Sequence, residues 1–261
     1  MGGLSVAPMT PGVKKIMVIC AAVFVLQLVS GAFGGTEAFL HSFGIFPPSW
    51  DLLPPIWQLV TYGFLHDPGS PSHILWNMLL LYFLGTSLEA LVGTRRFLTF
   101  YVATVIISGT AQLIVSLIGD WNAPVIGASG AVLGVVIAMA TLRPKQTILF
   151  IFIPLTLKTM AFIVVGKDLL GLLMDMGNGG QGGTAHIVHL AGAAVGYFGV
   201  RLGWIWRDPM EAISKRVEAH QVEAEADVRK RLDELLGKIS REGIASLSSA
   251  EKKFLKRASK R

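Results

Sequence analysis

Residues 127–142 read Gly127-Ala128-Ser129-Gly130-Ala131-Val132-Leu133-Gly134-Val135-Val136-Ile137-Ala138-Met139-Ala140-Thr141-Leu142, an uncharged run closed by Arg143. As a helix its sixteen residues span roughly 24 Å, less than the ~30 Å hydrocarbon core of a bilayer. Its hydroxyl at Ser129 stands at the mouth of the run, between glycines and below the outer membrane surface. Further apolar runs lie at 16–34, 73–92, 97–119, 159–176 and 185–206. A chain in hydrocarbon must satisfy its backbone groups internally, so each run reads as a helix. The pattern predicts an all-α membrane protein built as a bundle of six transmembrane helices.

Composition agrees. The chain has 261 residues, 52% hydrophobic and only 15% charged, with formal net charge +6 and mean hydropathy +0.57. Residues 1–200 hold eight Lys/Arg and seven Asp/Glu, and 201–261 hold fifteen and ten. The excess positive charge therefore sits in the last part of the chain, which argues against a nucleic-acid partner for the whole. The division predicts a membrane domain over 1–206 and a charged cytoplasmic helical tail over 207–261. Cys20 is the single cysteine and cannot form an intramolecular disulfide. The first run follows Lys14 and Lys15 and lacks a clear small-residue cleavage site, so it reads as a retained helix.

Lys and Arg mark the inner face of short loops. With the amino terminus inside, Lys14/Lys15, Arg95/Arg96, Arg143/Lys145/Lys158 and the tail all fall on one side, and 35–72 and 119–126 contain no Lys or Arg. The long segment 35–72, with Pro47-Pro48, Trp50, Pro54-Pro55 and Trp57, reads as interfacial. The run Thr147–Leu157 resembles a helix start but is interrupted by Pro154. The fifth span is placed at 159–176, with Lys167 and Asp168 at membrane depth and read as an ion pair or snorkelling charge.

Polar side chains inside the spans are costly. His73 and Asn77 are four apart and share a helical face; Ser129 opens the fourth span; His186 and His189 open the sixth, ahead of Gly192 and Gly196. Singly, each has a packing explanation, since Gly130, Gly134, Gly192 and Gly196 suit close helix approach. Together, at one depth on three spans, they suit acyl transfer. An imidazole can activate Ser129, and Asn77, His73 and the Ser129 N–H are candidate oxyanion donors. By chemistry alone either His186 or His189 can serve as base.

At these residues the sequence resembles the rhomboid intramembrane serine proteases. Gly127-Ala128-Ser129-Gly130 is similar to their GxSG, His73-Ile-Leu-Trp-Asn77 to their HxxxN, and His189-Leu-Ala-Gly192-x-x-x-Gly196 to their sixth-helix motif. Trp57 to His66 and Leu88-Glu89-x-x-x-Gly93 sit where similar proteins have related strings, and Leu232 to Leu255 is similar to a cytoplasmic appendage of some bacterial members. The resemblance implies Ser129 as nucleophile and His189, rather than His186, as base, in a dyad with no carboxylate. His73, Asn77 and Gly127 fall at the oxyanion site. It also implies cleavage of transmembrane segments of membrane-protein substrates without metal or cofactor, in a bacterial inner membrane with both termini cytoplasmic. Two departures stand out: Leu133 replaces a common aromatic, and 35–72 lacks a Trp-Arg pair. The rival readings are a catalytically silent rhomboid-like protein that binds client helices, and a metal transporter or metalloenzyme using His73, His186 and His189.

Overall fold

Proline opens the first two spans, where a missing N–H costs a helix nothing. Helix α1 (Pro11–Ala32) has proline in its first turn. After α2 (Thr36–Phe43) and the short α3 (Gln58–Thr61) with its 3-10 continuation Tyr62–Phe64, α4 (Pro71–Leu80) starts on Pro71. A π turn over Leu81–Gly85 joins α4 to α5 (Thr86–Val92), giving one apolar span, Pro71–Val92. Gly93 at φ +85° ends it, and α6 (Thr94–Ile118) follows at once. The remaining helices are α7 (Ser129–Leu142), α8 (Leu157–Gly177), α9 (His186–Arg201), α10 (Pro209–Glu242) and α11 (Ser249–Ala258). This computed structural model describes residues 8–45, 55–118, 124–150, 153–177, 186–243 and 246–258. The stretch Pro47-Pro48 to Pro54 of the expected interfacial segment lies outside them.

All six apolar runs contain helix, and the ends shift by a few residues. Among the described residues, α1, the Pro71–Val92 span and Thr94–Leu117 are long and apolar enough to cross a membrane by themselves, and Ser129–Leu142 is a shorter apolar helix. The outward faces carry Val18, Val25, Leu26, Phe162, Leu170 and Leu173 exposed, as expected where the surrounding solvent is lipid. One feature differs from the sequence reading. Thr147–Phe150 and Ile153–Thr156 form strands β1 and β2, paired antiparallel with Thr147 opposite Thr156 and Leu149 opposite Pro154. Short apolar runs do not distinguish strand from helix by periodicity, and Pro154 disfavours a helix here.

Helix α7 is the centre. Every residue from Gly130 to Ala140 is buried, so its lack of a polar face is explained: it has no exposed side. Its closest neighbour is α9. A Cβ on Gly192 would collide with the carbonyl of Gly130, one on Gly196 with the carbonyl of Gly134, and one on Gly134 would lie 3.0 Å from the Gly192 carbonyl oxygen. The four glycines thus let the two backbones approach closely.

A buried carboxylate ties α1 to the next spans. Glu89, 2% exposed, accepts from the Gly12 and Val13 amides at 2.8 Å each, from Thr10 Oγ1 at 2.5 Å and from Thr94 Oγ1 at 2.6 Å. Thr10 makes no side-chain cap of its own, so a distant residue caps α1.

The chain divides into two units, Met1–Arg207 and Asp208–Arg261. In the second, Ser248 and Glu251 form a capping box: the Ser248 amide donates to Glu251 Oε2 at 2.6 Å and the Glu251 amide to Ser248 Oγ at 3.3 Å. The Ser248 amide and hydroxyl, then Lys238 at 3.2 Å, pull the Glu251 carboxyl from its ordinary 4.5 down to about 2.

Two outcomes follow. Gly192→Ala should lower the thermal midpoint in detergent, by an amount corresponding to about 1–3 kcal/mol or more of overpacking. Gly166→Ala on α8, where an added Cβ meets nothing within 4 Å, should not. In the tail, the stabilisation from Glu251 is present above its ordinary 4.5 and is lost as pH falls toward about 2. Amides of α11 should therefore lose protection in Glu251→Gln at neutral pH.

Candidate active site

The segment before Ser129 is pinned from both sides. Ile45 and Val125 exchange backbone hydrogen bonds at 3.1 and 2.8 Å, and the Gly127 amide donates to the Tyr62 carbonyl at 2.9 Å. The Tyr62 hydroxyl in turn donates to the Val105 carbonyl at 2.8 Å. Gly127 adopts φ +128°, a conformation that favours glycine. A Cβ there would also lie 2.9 Å from His73 Nε2 and 3.6 Å from Ser129 Oγ. Two candidate groups thus face one point that only glycine leaves open. Ser129 is the first residue of α7, so the unpaired N–H groups of that first turn and the positive end of the helix dipole lie beside its hydroxyl.

The glycine contact of α7 with α9 sets the next distance. His189 Nε2 lies 2.7 Å from Ser129 Oγ. Its other ring nitrogen, Nδ1, lies 3.0 Å from Asp168 Oδ1. Asp168 comes from α8 and is 3% exposed. The same oxygen lies 2.8 Å from His186 Nδ1. Gly171 makes this possible, because a Cβ there would collide with the His186 ring. An imidazole with Nδ1–H held by a carboxylate presents its Nε2 lone pair to the serine, so the arrangement is poised to take the hydroxyl proton.

Here the structure corrects the sequence reading. The resemblance implies a two-membered Ser–His site, with Lys167 and Asp168 read as an ion pair or snorkelling charges. The ion pair is present at 3.8 Å, with the Lys167 side chain 68% exposed, but Asp168 also meets two imidazoles, which the expected dyad did not include. The missed signal was an acid inside an apolar helix in a segment with seven acids in two hundred residues. Asp168 precedes the two histidines by 18 and 21 positions and stands on a different helix, so only the packing of α8 on α9 joins them.

His73 and Asn77 share a face of α4, as their spacing predicts. Asn77 is buried and donates one amide hydrogen to the His73 carbonyl at 2.8 Å, which leaves its second hydrogen for another acceptor. His73 Nδ1 accepts, at a long 3.5 Å, from the Asp67 amide; a neutral ring accepting there carries its proton on Nε2. The His73 ring meets that of the fully buried His66 edge-on, centroids 5.2 Å apart. His66 is fixed through its backbone, with Gln27 Nε2 donating to its carbonyl at 2.8 Å and its amide donating to Gln27 Oε1 at 3.0 Å. A cavity of about 310 Å³ includes His73, Asn77, Ser129, Asp168 and His189 in its lining, with Leu133 and Val136 among its apolar wall. Leu133, the residue that departs from the family's common aromatic, is part of this wall. The rival trio of His73, His186 and His189 is not what assembles: among the described residues, the group whose ligand atoms come together is Asp168, His186 and His189.

Comparison with known proteins adds to this geometry. Residues 54–206 match the Rhomboid domain family, and residues 217–261 match a family of unknown function, DUF6576. RHOMBOID-like protein 12, mitochondrial, of Arabidopsis thaliana is 32% identical over 161 residues, 56% of this chain and 46% of that protein. Presenilin-associated rhomboid-like protein, mitochondrial, of Homo sapiens is 26% identical over 148 residues, 54% of this chain and 38% of that one. Rhomboid protease GlpG of Yersinia pestis is 27% identical over 106 residues, 41% of this chain and 36% of its own length. The chain thus spans less than half of each of these relatives.

If the Asp168–His189 contact is a hydrogen bond from Nδ1–H, protein labelled with ¹⁵N-histidine should show a low-field imidazole N–H proton assigned to His189. That resonance should vanish in Asp168→Ala.

Proposed function

The chain belongs to the rhomboid family, and from that premise we propose that it is an intramembrane serine endopeptidase that cuts membrane-protein substrates in or beside a transmembrane segment. The observation that carries this is the 2.7 Å approach of His189 Nε2 to Ser129 Oγ across the α7–α9 contact. A helix-binding protein without catalysis has no need of that contact.

In the proposed reaction, Ser129 Oγ attacks the scissile carbonyl as His189 Nε2 takes its proton. Negative charge gathers on the carbonyl oxygen, facing the Ser129 amide, His73 Nε2–H and the free amide hydrogen of Asn77. His189 then gives its proton to the departing amine, leaving an acyl ester on Ser129, and water reverses the sequence. Asp168 is a positioning residue. It keeps the His189 proton on Nδ1 in the resting state and stabilises the imidazolium formed in each half-reaction. The apolar wall around Leu133 and Val136 suits a hydrophobic substrate segment, and Gly127 leaves room for its backbone.

The protein resides in a membrane. We place both termini on the inner face, because the Lys and Arg clusters fall there in every loop that the helices define. The resemblance of the tail to a bacterial appendage and the match to a Yersinia protein favour a bacterial inner membrane, while the mitochondrial names of other relatives offer the organellar alternative.

Cleavage of a reporter transmembrane protein in liposomes tests the reading. Wild type should cleave, Ser129→Ala and His189→Ala should fall to background, and chelators should not inhibit. Full activity in Ser129→Ala would overturn the serine mechanism. Asp168→Asn should lower kcat by about 10²–10⁴, on the scale seen when a triad carboxylate is lost, with KM changing far less. An equal loss in kcat and folded yield would reduce Asp168 to a structural residue.

A further inference from the structure

One carboxylate oxygen between two imidazoles is more than a single catalytic base requires. Asp168 Oδ1 lies 2.8 Å from His186 Nδ1 and 3.0 Å from His189 Nδ1. Ligating atoms of the three residues all fall within 4.8 Å of one another. In tetrahedral coordination with bonds of about 2.0–2.1 Å, neighbouring ligand atoms are about 3.3 Å apart. The two hydrogen-bonded separations are close to that edge, so an ion can replace the shared hydrogens with small movements. A second acid stands nearby. Asp175 Oδ2 is buried, makes no hydrogen bond among the described residues, and lies 3.8 Å from His186 Nε2. The cavity beside Ser129 reaches both Asp168 and His189, which provides an entry path. Two imidazoles and a carboxylate suit late first-row divalent ions, Zn²⁺ above all, and not Mg²⁺ or Ca²⁺.

We propose that Asp168, His186 and His189 form an inhibitory Zn²⁺ site that switches off the serine centre by capturing its base. The ion takes the Nδ1 lone pair of His189. The neutral ring then carries its one proton on Nε2, facing Ser129 as a donor, and it cannot accept the serine proton. No bond to Ser129 forms, and removal of the ion restores the Nδ1–H tautomer. The inhibition is therefore reversible. Lys167, 3.8 Å from Asp168 Oδ1 and largely exposed, swings outward as the ion enters. Binding at the site stands independently of the proteolytic reading; only the inhibition rests on it.

The test uses the full chain in detergent and liposomes, first stripped with chelator. Co²⁺ should give the visible absorption of a low-coordinate site, displaced by Zn²⁺, and X-ray absorption of the Zn²⁺ form should count two imidazoles. Zn²⁺ should abolish reporter cleavage, and EDTA should restore it. His186→Gln keeps a donor for Asp168 but supplies no imidazole. It should still cleave, with the Zn²⁺ concentration for half-inhibition raised at least tenfold. Absence of Co²⁺ absorption, fewer than two imidazoles, or the same Zn²⁺ sensitivity in His186→Gln would overturn the site. A protein that binds Co²⁺ as described yet never cleaves, with or without metal, would uphold the site and sink the protease reading instead.

Discussion

Inside a bilayer no hydrophobic effect drives one helix against another, because lipid tails are as apolar as leucine, and close packing must supply the attraction. The approach of α7 to α9 is where this protein meets that constraint. Gly130 and Gly134 face Gly192 and Gly196 so closely that a methyl group on the α9 partner would strike a carbonyl. The register of that contact puts His189 against Ser129. Val188, buried and next to His189 in sequence, packs on Gly130, so neighbouring residues of one helical turn serve the packing and the candidate site. A shift of either helix by one residue would separate these two side chains, His189 and Ser129.

The same constraint governs the polar side chains that the membrane domain keeps. Each unpaired hydrogen-bonding group in hydrocarbon is costly, and three of the buried polar side chains are paired over long distances in sequence. Glu89 caps a helix that begins 78 residues earlier at Pro11, Gln27 closes the backbone of His66, and Asp168 collects two histidines from α9. Two of these three ties end in the loop and helix that carry the candidate site. Buried polar groups thus fix the positions of the helices that glycine brings together.

Much of this was legible in the chain. The six apolar runs and the separation of the charged tail follow from hydropathy and charge, since each is a local property of the sequence, and the pairing of Ser129 with a sixth-span histidine 60 residues away follows from costly polar side chains placed at one membrane depth. The β1–β2 hairpin did not follow, because a four-residue apolar strand and the start of a buried helix look alike. Glu89 was visible as part of a family string, but its role as a remote cap for α1 depends on how two spans cross. The second role of Asp168 did not follow for a similar reason. An Asp next to a Lys suggests a local pair, whereas the low-dielectric interior rewards a partner that is also buried, and only the packing of α8 on α9 reveals the two imidazoles.

The central claim is that Ser129 is an activated nucleophile because His189 is held to receive its proton. The direct measurement is mass spectrometry of the purified protein after exposure to a fluorophosphonate. A single covalent adduct mapped to Ser129, absent in His189→Ala and slowed in Asp168→Asn, is the result this account predicts. An unmodified Ser129 in folded wild-type protein, or equal labelling in His189→Ala, would contradict it.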